Sequence, residues 1–243
     1  MTRLMTGPAI HAVNPWVPDD PGPGKRHQLL SDAERAELTK IATVVRFEKG
    51  QRIYGEGDTA EATFNIIDGI VTAYRGAPGA EQVLSFLSPG DLFGLSEEGR
   101  YANATRAATA VTAYKMPLPA LRRLLNRNAD LDVDFIVKLC EELREAQRHA
   151  VLLAQKKATT RLAMFLALQE HVQAASGEPI FEIHLPMDRS SIAAYLGLTP
   201  AALSRAFRTL SAERIISPRN LHYVTVINRE ALNAMADARS VAT

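Results

Sequence analysis

Ser204, Arg205 and Arg208 are the side chains of this 243-residue chain whose types and spacing most directly suggest chemistry. With Ala201 three residues earlier they fall on one face of a helix, and Arg205 is best placed there to read a base edge with the donor fork of its guanidinium. The residues that must hold such a face precede it. Thr199 followed by Pro200 supplies an N-cap and a proline at the first helical position, so this helix begins at a defined residue. Gly197 permits the positive φ of a tight turn, Ala193 is small where two helices cross, and Ile192, Leu196, Leu198 and Leu203 fill the wedge between them. The span from Asp188 to Arg208 therefore reads as a helix-turn-helix, and its chemistry as binding to double-stranded DNA. Short helical hairpins also occur in protein cores, but a core helix rarely carries a serine and two arginines on one side.

Composition narrows the remaining choices. A chain with 47% hydrophobic and 23% charged residues has the makeup of a globular protein with room for two compact domains. Charge or glycine interrupts each apolar run before it reaches the length a bilayer needs, and Arg3 is not followed by the apolar core of a signal peptide, so a cytoplasmic location without membrane contact is expected. Cys140 is the only cysteine, too few for an internal disulfide or for the four thiolates that normally hold an iron-sulfur cluster. The net charge of +1 hides an asymmetry: residues 1–155 carry 18 basic against 20 acidic side chains, and residues 156–243 carry 10 against 7. The basic part is the part with the helix pair, as a phosphate backbone favours.

Residues 1–28 hold Pro8, Pro15, Pro18, Pro21 and Pro23 and are expected to form a flexible arm. A short helix over Ser31–Ile41 follows, capped by Ser31 with Glu34 at the capping-box position and with Leu30 and Leu38 packing inward. Between Val44 and Met116 short β-rich runs alternate with Gly, Pro, Asp and Asn: Val44–Phe47, Thr63–Ile67, Ile70–Tyr74, Val83–Leu87 and Ala110–Lys115. Strands at this spacing predict a sandwich or jelly roll. Helical periodicity begins after Pro119, first over Ala120–Asn126 and then over a long run from Leu131 to Gln155. Within that run Ile136, Leu143 and Ala150 recur every seven residues, and Leu139, Ala146 and Leu153 recur in the offset register, which is a dimerisation seam. Glu141, Glu142, Arg144, Glu145 and Arg148 flank it; the alternative is that the seam packs on the chain's own barrel. Phe135 and Ile136 are expected to touch the barrel, and Cys140 to be a buried, inert thiol. Beyond Lys156 the pattern predicts a helix over Thr160–His171, with Leu162, Phe165, Leu166 and Leu168 on its apolar face and Gly177 and Pro179 ending it. A strand over Ile180–Leu185 follows, and then the helix pair. Ile215–Ser217 and Tyr223–Val226 flank a Pro218-Arg219-Asn220 turn with the composition of a wing, and a last helix is capped by Asn228.

Taken together, these residues resemble the CRP/FNR family of bacterial transcription regulators. The resemblance covers nearly everything after residue 28. It is carried by Phe47-Glu48-Lys49-Gly50-Gln51, Glu56-Gly57-Asp58-Thr59-Ala60, Phe64 through Val71, Pro89-Gly90-Asp91-Leu92-Phe93-Gly94-Leu95, Lys157 through Leu166, and Leu185-Pro186-Met187 leading into the helix pair. The resemblance implies an α+β chain with an arm over 1–28, a cyclic-nucleotide-binding-like jelly roll over 29–128, a dimerisation helix over 129–156 and a winged helix-turn-helix domain over 157–243. It also implies a homodimer on a palindromic promoter site and contact with RNA polymerase.

Departures from the family pattern sharpen the expectation. Nucleotide-binding members offer a Glu to the ribose and an Arg-Ser pair to the cyclic phosphate, whereas the corresponding positions here are Leu95, Tyr101 and Ala102. Losing that arginine removes a charge-assisted contact, which Arg100 or Arg106 would have to replace. The cysteine set of the cluster-bearing branch is missing. No histidine lies between His27 and His149, leaving only His11 and His27 of the arm as conceivable ligands for haem or a metal. The expectation is a FixK-like member without nucleotide, haem, cluster or metal. In the recognition helix, Ala201 stands where many members present a cytosine-reading Glu, so the half-site departs from the common family consensus. Ser204 and Arg205 match the family, and Arg205 is expected to contact guanine O6 and N7 bidentately. Ser190, Ser191 and Thr199 are expected to clamp phosphates, Arg208 and Arg219 to position without specifying, and Arg189 to serve either role. Two rival classes carry their own signals: a cupin-like enzyme needs clustered His and Glu ligands inside its barrel, and a scaffold that docks protein through its helix pair lacks the steep salt dependence of phosphate contacts.

Overall fold

The computed structural model describes residues 32–77, 79–96, 98–175 and 181–237. The arm, Leu30, Ser31, Ile180, and the helix stop at Gly177 and Pro179 lie outside these residues. Helix α1 (Asp32–Ile41) leads into β1 (Thr43–Phe47), β2 (Arg52–Tyr54), β3 (Ala62–Asp68), β4 (Val71–Arg75), β5 (Gln82–Leu87), β6 (Leu92–Phe93), β7 (Ala104–Ala107) and β8 (Val111–Pro117). These strands form two antiparallel sheets, in the orders β1-β8-β3-β6 and β2-β7-β4-β5, that face each other as a jelly roll. Tyr54, Phe64, Ile66, Val71, Phe93 and Val111 fill the space between them. The five expected strands are present, each within two residues of the ends read from sequence, and β2, β6 and β7 are additional. Gly69 makes the β3–β4 turn possible: its φ is +91°, and a Cβ there would sit 2.1 Å from the Ala110 carbonyl oxygen.

Helix α2 (Leu118–Leu125) precedes α3 (Ala129–Leu153), which Asn128 caps by accepting a hydrogen bond from the Leu131 N–H. Phe135 and Leu131 of α3 are buried against Leu38, Leu92, Met116 and Leu121, so the long helix is seated on the barrel at its start. Three expectations on α3 need correction. Ile136 is 53% exposed and points away from the barrel. Cys140 is exposed rather than buried. Leu153 is half-buried against the C-terminal core, near Gly197, and so leaves the seam. A straight helix drifts about 20° per heptad from a strict seven-residue repeat, which carries the last seam position inward. Leu139, Leu143, Ala146 and Ala150 remain exposed along the same side as Ile136.

Helix α4 (Ala158–Ala175) buries Leu162, Phe165 and Leu166 completely, with Leu168 only half-covered. It packs against α5 (Arg189–Tyr195), α6 (Pro200–Ala212) and α7 (Arg229–Ala236), the last capped by Asn228 as expected. Strands β9 (Ile183–His184), β10 (Ile216–Pro218) and β11 (Tyr223–Val226) form an antiparallel sheet with β11 in the middle. The strand read from Ile180 to Leu185 is thus shorter within the described residues, and Phe181 is 84% exposed. The β10–β11 hairpin is the expected wing, closed by the Arg219 N–H donating to the Tyr223 carbonyl at 2.9 Å. Val83 of the barrel is wholly buried in this C-terminal core, so the two parts share packing. None of the described helices is long and apolar enough to cross a membrane.

Candidate nucleic-acid interface

Both helices of the pair start at defined residues. The Asp188 carboxylate accepts from the Ser191 N–H at 2.7 Å to cap α5, and the Thr199 hydroxyl accepts from the Ala202 N–H at 3.2 Å to cap α6. Burial would raise the Asp188 carboxyl, but hydrogen bonds from Ser190 and Ser191 outweigh it and hold the group below the usual carboxylate range. Between the helices Gly197 takes φ +60°, with Leu153 and the Arg161 guanidinium each 3.2 Å from where a Cβ would stand. Ile192, Ala193, Leu196 and Leu203 are buried in the wedge.

This packing sorts α6 into two faces. Leu203, Ala206, Phe207 and Leu210 point into the core, while Pro200, Ala201, Ser204, Arg205 and Arg208 are exposed. Thr199 and Ser190 are exposed beside them, with the Ser190 hydroxyl donating to Asp188 at 2.5 Å. Two arginines are held in place at the margin. Arg189 lies with its guanidinium 3.8 Å from the centre of the Phe207 ring and reaches the Asn220 carbonyl at 3.4 Å, tying α5 to the wing. Arg219, on the wing, pairs with Glu182 at 2.9 Å and stacks over Tyr223 at 4.5 Å. One expected phosphate clamp is corrected: Ser191 is only 4% exposed, and its hydroxyl is engaged by Asp188 at 3.2 Å and approached by Arg106 at 3.5 Å. Its contact with Arg106 of β7 places it on the side of α5 that packs on the barrel.

An exposed guanidinium flanked by hydroxyls on a capped helix, with a wing beside it, is a groove-reading arrangement, and comparison with known proteins agrees. Residues 44–128 match the family model described as a cyclic nucleotide-binding domain, and residues 160–235 match the Crp-like helix-turn-helix domain. The chain is 30% identical over 190 residues to the nitrogen fixation regulation protein FixK of Bradyrhizobium diazoefficiens, covering 77% of this chain and 80% of that protein. It is 31% identical over 191 residues to the transcriptional activatory protein AadR of Rhodopseudomonas palustris, covering 77% and 79%. The chain belongs to the CRP/FNR family of transcription regulators. Its likeness to FixK extends to structure: FixK2 from Bradyrhizobium japonicum superposes with a TM-score of 0.75 at 28% identity, over 82% of this chain and 98% of that one.

In this FixK-like chain a cavity of about 160 Å³ lies between the barrel and α3, lined among others by Tyr54, Phe93, Tyr101, Asn103, Leu139 and Glu142. Tyr101 stacks on Tyr54 at 3.7 Å, and its hydroxyl donates to the Ala62 carbonyl at 2.7 Å. Glu142 turns one carboxylate oxygen inward, buried without a hydrogen-bond partner. Burial, and next the Asp91 carboxylate, push the group up to about 7. From sequence Glu142 reads only as a flanking charge of the seam; its inward direction depends on the angle at which α3 crosses the barrel. Neither candidate substitute for the phosphate arginine lines the cavity. Arg100 donates to the Gly57 carbonyl at 2.8 Å, and Arg106 pairs with Glu81 at 2.6 Å in the contact with α5.

Proposed function

We propose that this chain works as a homodimer that reads a palindromic promoter site through α6, without a nucleotide, haem, cluster or metal cofactor and without enzymatic activity. The observation that carries the reading is the outward face of α6, where Arg205 stands exposed between Ser204 and Arg208 and makes no side-chain hydrogen bond or ion pair among the described residues. The exposed line of Ile136, Leu139 and Leu143 on α3 supports pairing of two such helices. Two-fold pairing sets the recognition helices roughly 34 to 36 Å apart, one turn of B-DNA, and so demands a palindrome. Arg205 forks onto guanine, Thr199, Ser190, Arg208 and Arg219 hold phosphates, Arg189 braces the wing, and Ala201 leaves its base unread or touches a thymine methyl. Promoter output follows from exposed barrel loops meeting RNA polymerase, and the protein acts in the cytoplasm. The modules divide as 29–128, 129–156 and 157–243, a division that the Asn128 cap of α3 and the α3 end at Leu153 support.

The cavity supports the cofactor-free reading, because its lining does not fit a cyclic phosphate. Tyr101, buried and hydrogen-bonded, takes one of the phosphate-cassette positions, the lining carries no basic side chain, and Glu142 places a carboxylate where an anion would suffer repulsion. Selection of bound fragments from genomic DNA, followed by fluorescence anisotropy, tests the whole reading. A recovered palindrome bound by a dimer, with log affinity falling by about 0.9 per neutralised phosphate for each tenfold rise in salt, supports it. A protein that stays monomeric and recovers no palindrome contradicts it, and a rise in melting temperature with cyclic AMP contradicts the cofactor-free part.

A further inference from the structure

The last carbonyls of a helix have no partners within it, and what satisfies them shows what the helix is fastened to. At the end of α5 the turn supplies some partners, as the Gly197 N–H donates to the Ala194 carbonyl at 3.3 Å and the Leu198 N–H to the Ala193 carbonyl at 2.9 Å, and further donors come from three separate parts of the molecule. Gln82 of β5 donates from its amide to the Ala194 carbonyl at 2.7 Å. His149 of α3 meets the Tyr195 carbonyl at 2.7 Å through Nε2. A carbonyl only accepts, so the imidazole carries its proton on that nitrogen. Arg161 of α4 donates to the Leu196 and Gly197 carbonyls at 2.9 and 3.1 Å, while its Nε holds the Gln155 carbonyl at 2.8 Å in the link between α3 and α4. The Tyr195 ring is gripped in the same way, stacked on His149 at 4.0 Å and packed by Phe86 of the barrel at 5.3 Å and Phe165 of α4 at 5.6 Å.

Arg161 belongs to the same packed unit as the helix pair, but Gln82 and His149 do not. We propose that Gln82 and His149 are positioning residues for DNA binding, fastening the carbonyl end of α5 to the barrel and the dimerisation helix and thereby fixing the angle of α6 to the dimer axis. The buried wedge of Ile192, Ala193, Leu196 and Leu203 makes α5 and α6 one rigid body, so holding one holds the other. Without these two bonds the barrel and α3 hold α5 by apolar packing, by the long Arg106–Ser191 contact at 3.5 Å and through the Arg161 bridge to Gln155, ties that resist separation more than rotation. A rotation leaves each recognition face intact and displaces the two faces relative to each other, because two-fold symmetry repeats the error.

The inference rests on the homodimer and palindrome reading, and its test separates the two. Anisotropy is measured on the recovered palindrome, on DNA with one half-site, and on palindromes with one base pair added to or removed from the centre. The wild-type dimer is expected to penalise both altered spacings. Two neutral hydrogen bonds together amount to about a tenfold change in an equilibrium, so Gln82→Ala with His149→Ala should weaken palindrome binding about tenfold and shrink the spacing penalty. Half-site affinity should change less than about twofold, since no hydrogen bond to DNA is lost. His149→Gln, which keeps an N–H donor, should restore part of the discrimination in the Gln82→Ala background, and Gln82→Glu, which turns an acceptor toward a carbonyl, should resemble Gln82→Ala. A double variant with an unchanged spacing penalty overturns the proposal, as does one whose half-site binding falls as much as its palindrome binding. A wild-type protein that ignores palindromes overturns the reading beneath it as well.

Discussion

The outer face of α6 and the cavity behind α3 are the two places where this architecture can meet a phosphate, and they are built oppositely. On α6 the polar groups are exposed and cationic, with Arg205 and Arg208 projecting from a helix whose other side is wholly buried. In the cavity the lining is mixed, with Tyr54, Phe93 and Tyr101 beside aliphatic side chains and the neutral polar Ser85 and Asn103, and its one carboxyl, Glu142, is desolvated. An anion bound on an open basic face keeps much of its hydration and releases condensed counterions with a gain in entropy, whereas an anion entering the cavity loses its hydration without a cation to replace it. On the cofactor-free reading proposed above, the same two-part fold keeps its answer to a duplex while its inner pocket has lost the cation a cyclic phosphate would need.

The contrast can be broken first from beneath. Leu203 is the buried counterpart of Arg205 on α6, and Leu203→Ala should lower unfolding stability by about 2–5 kcal/mol in chemical denaturation, where a loss below about 1 kcal/mol would show that the wedge is not closely packed. Next comes the pairing of the two outer faces. Leu143 is 58% exposed in the single chain, and Leu143→Lys should convert the dimer to monomer in sedimentation at micromolar concentration without lowering the stability of the chain itself. Failure to dissociate would mean that the dimer lies elsewhere.

The inner region is probed by pH. Because Glu142 titrates near 7 in the folded chain and lower when unfolded, folding takes up a proton between those values. Its contribution is fully present below the unfolded value and is lost as pH rises through about 7. The melting temperature should therefore fall between pH 5 and pH 8 more in wild type than in Glu142→Gln, and parallel curves would refute the buried carboxyl. The smallest effect belongs to the cap of α6: Thr199→Ala should cost about 1 kcal/mol of stability and affect cognate and random DNA alike.

How much of this was legible in the sequence follows from the range of the forces involved. Thr199, Pro200, Gly197 and Asn228 act on their immediate neighbours, and the helix pair, its turn and the last cap were readable to within a residue or so. β2, β6 and β7 were not, because each is a short run defined by partners far along the chain, as Arg52 faces Arg106 and Phe64 faces Phe93. The seam was readable as a repeat, yet the inward turn of Leu153 and the exposure of Cys140 depend on how α3 is seated. Ser191 has the residue type of a phosphate clamp and the wrong side of its helix, which only the packing of α5 on the barrel decides. Gln82 and His149 carry no local pattern, and Arg161 lies in the family-like Lys157–Leu166 run without any sign there of its partners; their meeting at the end of α5 is a property of the assembled chain.

The central claim is tested most directly by Arg205→Ala, measured by anisotropy on the recovered palindrome and on random DNA at one salt concentration. Loss of a bidentate guanine contact should weaken cognate binding by at least about tenfold and leave random-sequence affinity changed by no more than about twofold. Equal losses on the two DNAs would contradict direct reading of bases by α6.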